Sequence, residues 1–239
     1  MRESRIYTMK LDVKELLDFF DDKKDSEKGD ANALMSVLGE DLNVSVYRHF
    51  RKEEVEILNE SVTFDIKKSD GTRGKELDRW MIDKKNRKLY QCEIKNSAAT
   101  AIGGRQLKSD ASDEEVQEVA AYHWNRELKN SFSRNHNHPN YITKVLLTMR
   151  KPEKFRNLKV EPLLIYWMPI TSSKNGLNPL SILPTNPLHL GMKIKFSRLY
   201  IFSVSLYLRS LLRKGKGVIV LELPHFEHRL KILAKLRNK

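Results

Sequence analysis

The sequence predicts an α/β (α+β) protein, and three stretches carry that expectation. Residues 61–69, SVTFDIKKS, alternate cleanly, with Val62, Phe64 and Ile66 on one face and Thr63, Asp65 and Lys67 on the other, as in a strand packed on one side. GKELDRWMIDKKNRKLYQCEIKN reads as two short strands joined by a polar turn at Asp83-Lys84-Lys85-Asn86-Arg87. Ser112-Asp113-Glu114-Glu115 then forms a capping box with acids in the first turn. It opens a helix through Leu128 whose apolar stripe is Val116, Val119, Ala120, His123 or Trp124, and Leu128.

Ahead of these, Leu11, Leu16, Leu17, Phe19 and Phe20 give a short helical pattern, followed by the charged connector DDKKDSEKGD. Asp30 is placed to cap a helix carrying Leu34, Val37, Leu38, Leu42, Val46 and Phe50. Asp70-Gly71 marks the turn into the hairpin, and Ser97 to Ala101 with Gly103-Gly104 form a loop. His136 and His138 in SRNHNHPN lack the Cys partner or second His pair of a zinc finger, so that segment reads as a loop. Ile142 to Met149 and Val160 to Ile170 are apolar, β-rich runs suited to later strands of the same sheet. Residues 171–192, with three prolines, read as an irregular connector. The apolar stretch Leu199 to Leu212 is interrupted by Arg209 and falls short of the ~20 residues of a membrane span, so a core element is expected. Val218 to Leu223 reads as a buried strand. Residues 226–239 read as a closing helix, with Leu230, Leu233 and Leu236 inward and Lys231, Lys235, Arg237 and Lys239 outward.

Charge divides the chain. Residues 1–149 hold 26 Lys/Arg against 27 Asp/Glu, whereas residues 150–239 hold 18 against 4. A basic surface attracts polyanions, and phosphate contacts release counterions, so nucleic acid is the expected partner of the C-terminal part; a lysine-rich solubilising surface is the alternative. The single cysteine, Cys92, excludes an intramolecular disulfide, suits a reducing compartment and is expected to pack as a small apolar group. The first twenty residues contain no uninterrupted apolar core ahead of a cleavage site, so a cytoplasmic protein is expected.

The hairpin carries the chemistry. Tyr90, Cys92 and Ile94 point to one side of the second strand, while Gln91, Glu93 and Lys95 point to the other. If the turn closes about the Lys85-Asn86 peptide, residues equally far from that peptide face each other, which sets Asp78 opposite Glu93. Facing carboxylates repel, and a cation between them reverses the sign. Mg²⁺ suits such a pair, since it takes one or two carboxylates and leaves water and phosphate to complete the octahedron. The bland alternative is a solvated ion-pair ladder, because an acid two residues before a lysine is common on half-exposed strands.

Asp78, fourteen residues, then Glu93-Ile94-Lys95 resembles the PD-(D/E)XK nuclease superfamily, with Leu77 standing where that motif has proline. The resemblance covers roughly residues 30–150. It implies a restriction-endonuclease-like core running helix, three strands, helix, strand, that is, a central mixed β-sheet flanked by helices. Extra C-terminal strands and helices would lie beyond this core. In that reading Asp78 and Glu93, helped by the Ile94 carbonyl, bind Mg²⁺, with Mn²⁺ expected to substitute. Lys95 orients or activates the attacking water and neutralises charge on the phosphorane-like transition state. Many members add an acid from the preceding helix; Glu40 is favoured over its neighbour Asp41, against the equally open reading of Glu40 as an ordinary exposed helical acid. Gln91 and Gln106 are further candidates for supporting the site or touching DNA.

The resulting expectation is an endonuclease hydrolysing phosphodiester bonds in DNA. Its alternatives are a non-catalytic nucleic-acid-binding protein on the same fold, or a nuclease for RNA or branched DNA. No membrane partner is expected. A homodimer is compatible with cutting two strands from two symmetry-related sites, although no coiled-coil seam declares one. The expected division is residues 1–29 as N-terminal helix and connector, 30–170 as nuclease core, and 171–239 as a basic extension packed on the core.

Overall fold

The computed structural model describes residues 7–21, 28–58, 77–96, 107–129, 145–146, 151–185 and 196–223, with side chains of the long helix from Leu38 onward. The expected strand at 61–69, the Asp70-Gly71 turn, the glycine loop with Gln106, the His136/His138 loop and the helix at 226–239 lie outside the described residues, as does most of 142–149.

The described chain is mixed α/β. Six strands form a mixed sheet in the order β2 (Val55–Leu58), β3 (Arg79–Asp83), β4 (Lys88–Lys95), β5 (Lys159–Tyr166), β7 (Arg198–Ser203) and β6 (Leu180–Pro184). The β2–β3 and β3–β4 pairs are antiparallel, β4–β5 and β5–β7 are parallel, and β6 returns antiparallel at the edge. A parallel pair needs a crossover, and between β4 and β5 it includes α3 (Asp113–His123). The Ser112 hydroxyl accepts from the Glu115 amide while the Glu115 carboxylate accepts from the Ser112 amide, completing the expected capping box. The helix continues as a π-helical turn at Trp124–Lys129.

The sheet's two faces carry separate clusters. Tyr90, Cys92 and Ile94 of β4 and Leu163 and Ile165 of β5 pack with Val44, Val46 and Tyr47 of α2 (Lys28–Phe50). On the reverse face Trp80, Ile82 and Leu89 pack with Leu58 and Leu77, while Leu164 and Tyr166 pack with Leu128, Leu199 and Ile201. Both faces are covered, as expected for strands in a parallel ladder. A two-stranded antiparallel ribbon of β1 (Tyr7–Asp12) and β8 (Val218–Leu223) stands apart from this sheet and touches α2. Asp12 caps α1 (Val13–Asp21) by accepting the Glu15 amide at 2.9 Å, and α1 packs on α4 (Val204–Arg213), which follows β7 directly.

Several expectations change. Leu11 belongs to β1 rather than to the first helix. α2 begins at Lys28, so Asp30 lies within its first turn instead of capping it. The connector at 171–192 contains the edge strand β6, and the apolar run at 142–149 is helical where described, at Val145 and Leu146. β8 is buried on alternate residues only, because it pairs with β1 outside the main sheet. The expected boundary at residue 170 falls between β5 and β6, strands of one sheet. Among the described residues no helix is long and apolar enough to cross a membrane.

The β3–β4 turn is built by Asp83, which is fully buried. Its Oδ1 accepts the Asn86 amide at 2.9 Å, and its Oδ2 accepts the Asn86 side chain at 2.8 Å and Arg51 Nη2 at 2.7 Å. The chain closes through Arg87 at φ 53°, a left-handed position. Burial alone would raise the Asp83 carboxyl, but the hydrogen bonds from Asn86 and Arg51 outweigh it and hold it below the usual carboxylate range. A carboxyl depressed in the folded state stabilises above its unfolded pKa of about 3.9 and loses that contribution as pH falls through the folded value. Asp83→Ala, which leaves Arg51 without its carboxylate, is expected to cost about 3 kcal/mol at pH 7. The difference from the parent should shrink below about pH 4. Urea unfolding at pH 7 and pH 3 checks this, and an equal deficit at both would refute it.

Candidate active site

The hairpin register is the expected one: Arg79 faces Cys92, Trp80 faces Gln91, and Asp83 faces Lys88. Extending it by one pair sets Asp78, the half-buried residue just before β3, against Glu93. Asp78 completes the end of the ladder with its side chain, since the Ile94 amide donates to Asp78 Oδ2 at 2.7 Å. Lys95 Nζ donates to Glu93 Oε1 at 2.9 Å, so these two share a face as strand parity requires. Glu93 is 4% exposed, whereas the Lys95 side chain keeps 28% of its surface open. Asp78, Glu93, Ile94 and Lys95 are thus brought together at one end of the sheet.

Glu40 reaches this group through an intermediary. Arg79 donates from Nη1 to the Asp78 carbonyl at 2.8 Å, while its Nη2 lies 3.3 Å from both Glu40 Oε2 and Asp41 Oδ1. Glu40 therefore adjoins the Asp78 backbone by way of a guanidinium that it shares with the buried Asp41. Sequence reasoning missed Arg79. Its one signal was parity: Arg79 sits opposite Cys92, hence on the α2 side of the sheet.

Close packing fixes α2 against the strand end. A Cβ on Gly39 would lie 2.7 Å from Asn96 Cγ, and Asn43 Nδ2 donates to Asn96 Oδ1 at 2.7 Å. On the other side, the Trp167 amide donates to the Lys95 carbonyl at 3.0 Å, carrying the β4–β5 ladder past the end of β5. Trp167 Nε1 in turn donates to Asp21 Oδ1 at 3.1 Å, within a buried hub. There Asp21 Oδ2 accepts Ser205 Oγ at 2.5 Å and Arg209 Nη2 at 3.0 Å, and Arg209 also donates to the carbonyls of Leu107 and Lys108.

Gln91 is fully buried and its amide donates to the Val145 carbonyl, which places it in the core rather than at a DNA surface. His123 is likewise buried, with Nδ1 2.7 Å from the Pro169 carbonyl oxygen, and burial lowers its pKa. Cys92 is buried as expected. Burial pushes its thiol well above the ordinary value, and the negative charges of Asp78 and Glu93 add to the effect.

The register sets the Asp78 and Glu93 carboxylates at the same end of the hairpin, where like charges repel and a cation would relieve them. Carboxylate and carbonyl oxygens are donors of the kind Mg²⁺ accepts, with water and phosphate completing its octahedron. Among the described residues no three His, Cys, Asp or Glu side chains group to hold a metal. No family model, curated protein or solved structure matches the chain.

Proposed function

We propose that this protein is a Mg²⁺-dependent endonuclease of restriction-endonuclease-like fold that hydrolyses phosphodiester bonds in DNA. The observation that carries the reading is the 2.7 Å hydrogen bond from the Ile94 amide to Asp78, which fastens one carboxylate beside the strand bearing Glu93 and Lys95. The succession α2, β2–β4, α3, β5 supports it, since it follows the helix, three strands, helix, strand order that the sequence resemblance implies.

Asp78, Glu93 and the Ile94 carbonyl would hold the ion. A divalent ion bound there supplies Lewis-acid polarisation of the phosphate and lowers the pKa of a coordinated water. Lys95 orients the attacking water through an ammonium proton and offsets the charge that develops on the phosphoryl oxygens. Its contact with Glu93 holds the ammonium at the site before substrate arrives. Glu40 assists only if substrate or metal draws it from Arg79.

Nicking of supercoiled plasmid with and without Mg²⁺ or Mn²⁺ tests the proposal. Metal-dependent conversion to open circle is expected, and DNA retention without any cutting would favour a non-catalytic binding protein. Asp78→Ala is expected to weaken Mg²⁺ binding at least tenfold by calorimetric titration, the usual order for a lost ligand or its support. Equal affinity in variant and parent would remove Asp78 from the ligand set.

A further inference from the structure

The opposite end of the same sheet carries a second charged feature. Lys88 of β4 and Lys159 of β5 are register partners on a parallel ladder, so they lie side by side on one face, about 4.8 Å apart along the hydrogen-bond direction. Arg198 at the start of β7 extends the row to a third strand, opposite Glu161 when the register is continued, and the Arg87 carbonyl accepts the Lys159 amide at 3.1 Å. One buried acid, Glu161, sits among them, 3.0 Å from Lys159 Nζ and 2.8 Å from Arg198 Nη2. The Tyr200 ring lies beneath both Lys88 and Arg198, at 5.4 and 5.3 Å from its centroid. Both tyrosines of this end, Tyr90 and Tyr200, are buried, so the outer layer is cationic: the Lys159 side chain is 69% exposed and that of Arg198 38%.

We propose that this row, Arg87, Lys88, Lys159 and Arg198 at the start of β4, β5 and β7, is a binding surface for the phosphate backbone of duplex DNA, separate from the candidate active site. Like charges directly paired across a ladder destabilise a sheet, and Glu161 offsets only part of the row, so a bound polyanion relieves a repulsion built into the fold. Arg198 is held on Glu161 through Nε and Nη2 with its guanidinium over a ring, which leaves its Nη1 edge to meet a phosphate oxygen. Protein partners fit less well, since the centres of protein interfaces are depleted in lysine and built on exposed aromatic and apolar side chains. Lys88 lies roughly 23 Å from Lys95 along β4, at ~3.3 Å per residue, so DNA held here makes contacts beyond those at the site. The surface shares with the proposed function only DNA as the polyanion and requires no catalysis.

The test is equilibrium binding of a labelled duplex oligonucleotide, by fluorescence anisotropy in EDTA across a salt series. The variant Arg87→Gln/Lys88→Gln/Lys159→Gln leaves Arg198 to neutralise Glu161, and the milder Arg87→Gln/Lys88→Gln keeps the Glu161 pairings whole. The triple variant is expected to bind at least tenfold more weakly at low salt. Its plot of log affinity against log salt should be shallower by about 2–3, at ~0.9 per lost phosphate contact, with the double variant between. Unchanged affinity and slope would overturn the proposal. An equal loss in Lys10→Gln/Lys174→Gln/Lys214→Gln would also overturn it, because binding would then follow net charge alone. Poly-glutamate bound as tightly as DNA would overturn it in favour of an acidic protein partner. Because the assay contains no divalent metal, its failure is distinct from a failure to cleave.

Discussion

Lys95→Ala is expected to lower metal-dependent DNA cleavage by at least about a hundredfold while leaving the fold in place. Removing one pre-positioned group that meets developing charge typically costs two to three orders of magnitude in rate. The fold should survive because Lys95 ends β4 with a half-exposed side chain, and its carbonyl, which accepts the Trp167 amide, remains. Glu93 loses its 2.9 Å ammonium contact, so its carboxylate becomes a stronger attractor of cations. The informative result is therefore a split: cleavage falls while calorimetric Mg²⁺ affinity holds or rises. Full activity in the variant would remove Lys95 from the reaction. Lost activity together with a collapsed far-ultraviolet circular dichroism spectrum would assign it a structural role.

Arg209→Ala is expected to be the most destabilising single change, at about 3–5 kcal/mol, the usual cost of stripping one partner from a buried ion pair. Asp21 is fully buried and Arg209 2% exposed, so water cannot replace the guanidinium. Three segments lose their common anchor at once. Arg209 joins α4 to the end of α1 through Asp21, and to the chain before α3 through the Leu107 and Lys108 carbonyls. Urea unfolding of the purified variant measures the loss, and a deficit under about 1 kcal/mol would show the hub to be dispensable. The double change Asp21→Asn/Arg209→Met should be less destabilised than the sum of its parts, because the two side chains act on one another.

How far the sequence discloses the molecule varies with the range of the interactions involved. The β3–β4 register was legible because a hairpin is local: a polar turn and strict parity fix which residues face each other, and Asp78 fell opposite Glu93 for that reason. The α3 cap was legible on the same ground. β1 carries period-two alternation in Tyr7, Met9 and Leu11, but six residues with partly exposed side chains give a weak signal beside the helical pattern that follows. β6 sits among prolines and glycine; as an edge strand it pairs on one side only, which tolerates such composition. Parity put Arg79 on the α2 side of the sheet, but its bridge to Glu40 and Asp41 was not legible, since it joins residues that meet only when α2 packs on the sheet. Arg209 left a trace of another kind. A lone arginine inside an apolar run is either a break or a buried charge with a distant partner, and Asp21 proves to be that partner.

The β1–β8 ribbon has a consequence for the order of assembly. Tyr7 pairs with Leu223 and Asp12 with Val218, so the two strands come from nearly opposite ends of the described chain. Contacts of such large sequence separation carry a high loop-closure cost and form late. On the ribosome, α1 and α2 emerge well before Val218–Leu223 exists. Met9, Leu11, Phe20 and Leu42, which converge with Leu223 around one cavity, must then wait without that neighbour, as must the Ser45 hydroxyl that will donate to the Glu222 carbonyl. The segment from β1 through α2 is thus the one that stays open to mispairing longest, and nascent chains halted before β8 should be the most prone to aggregate.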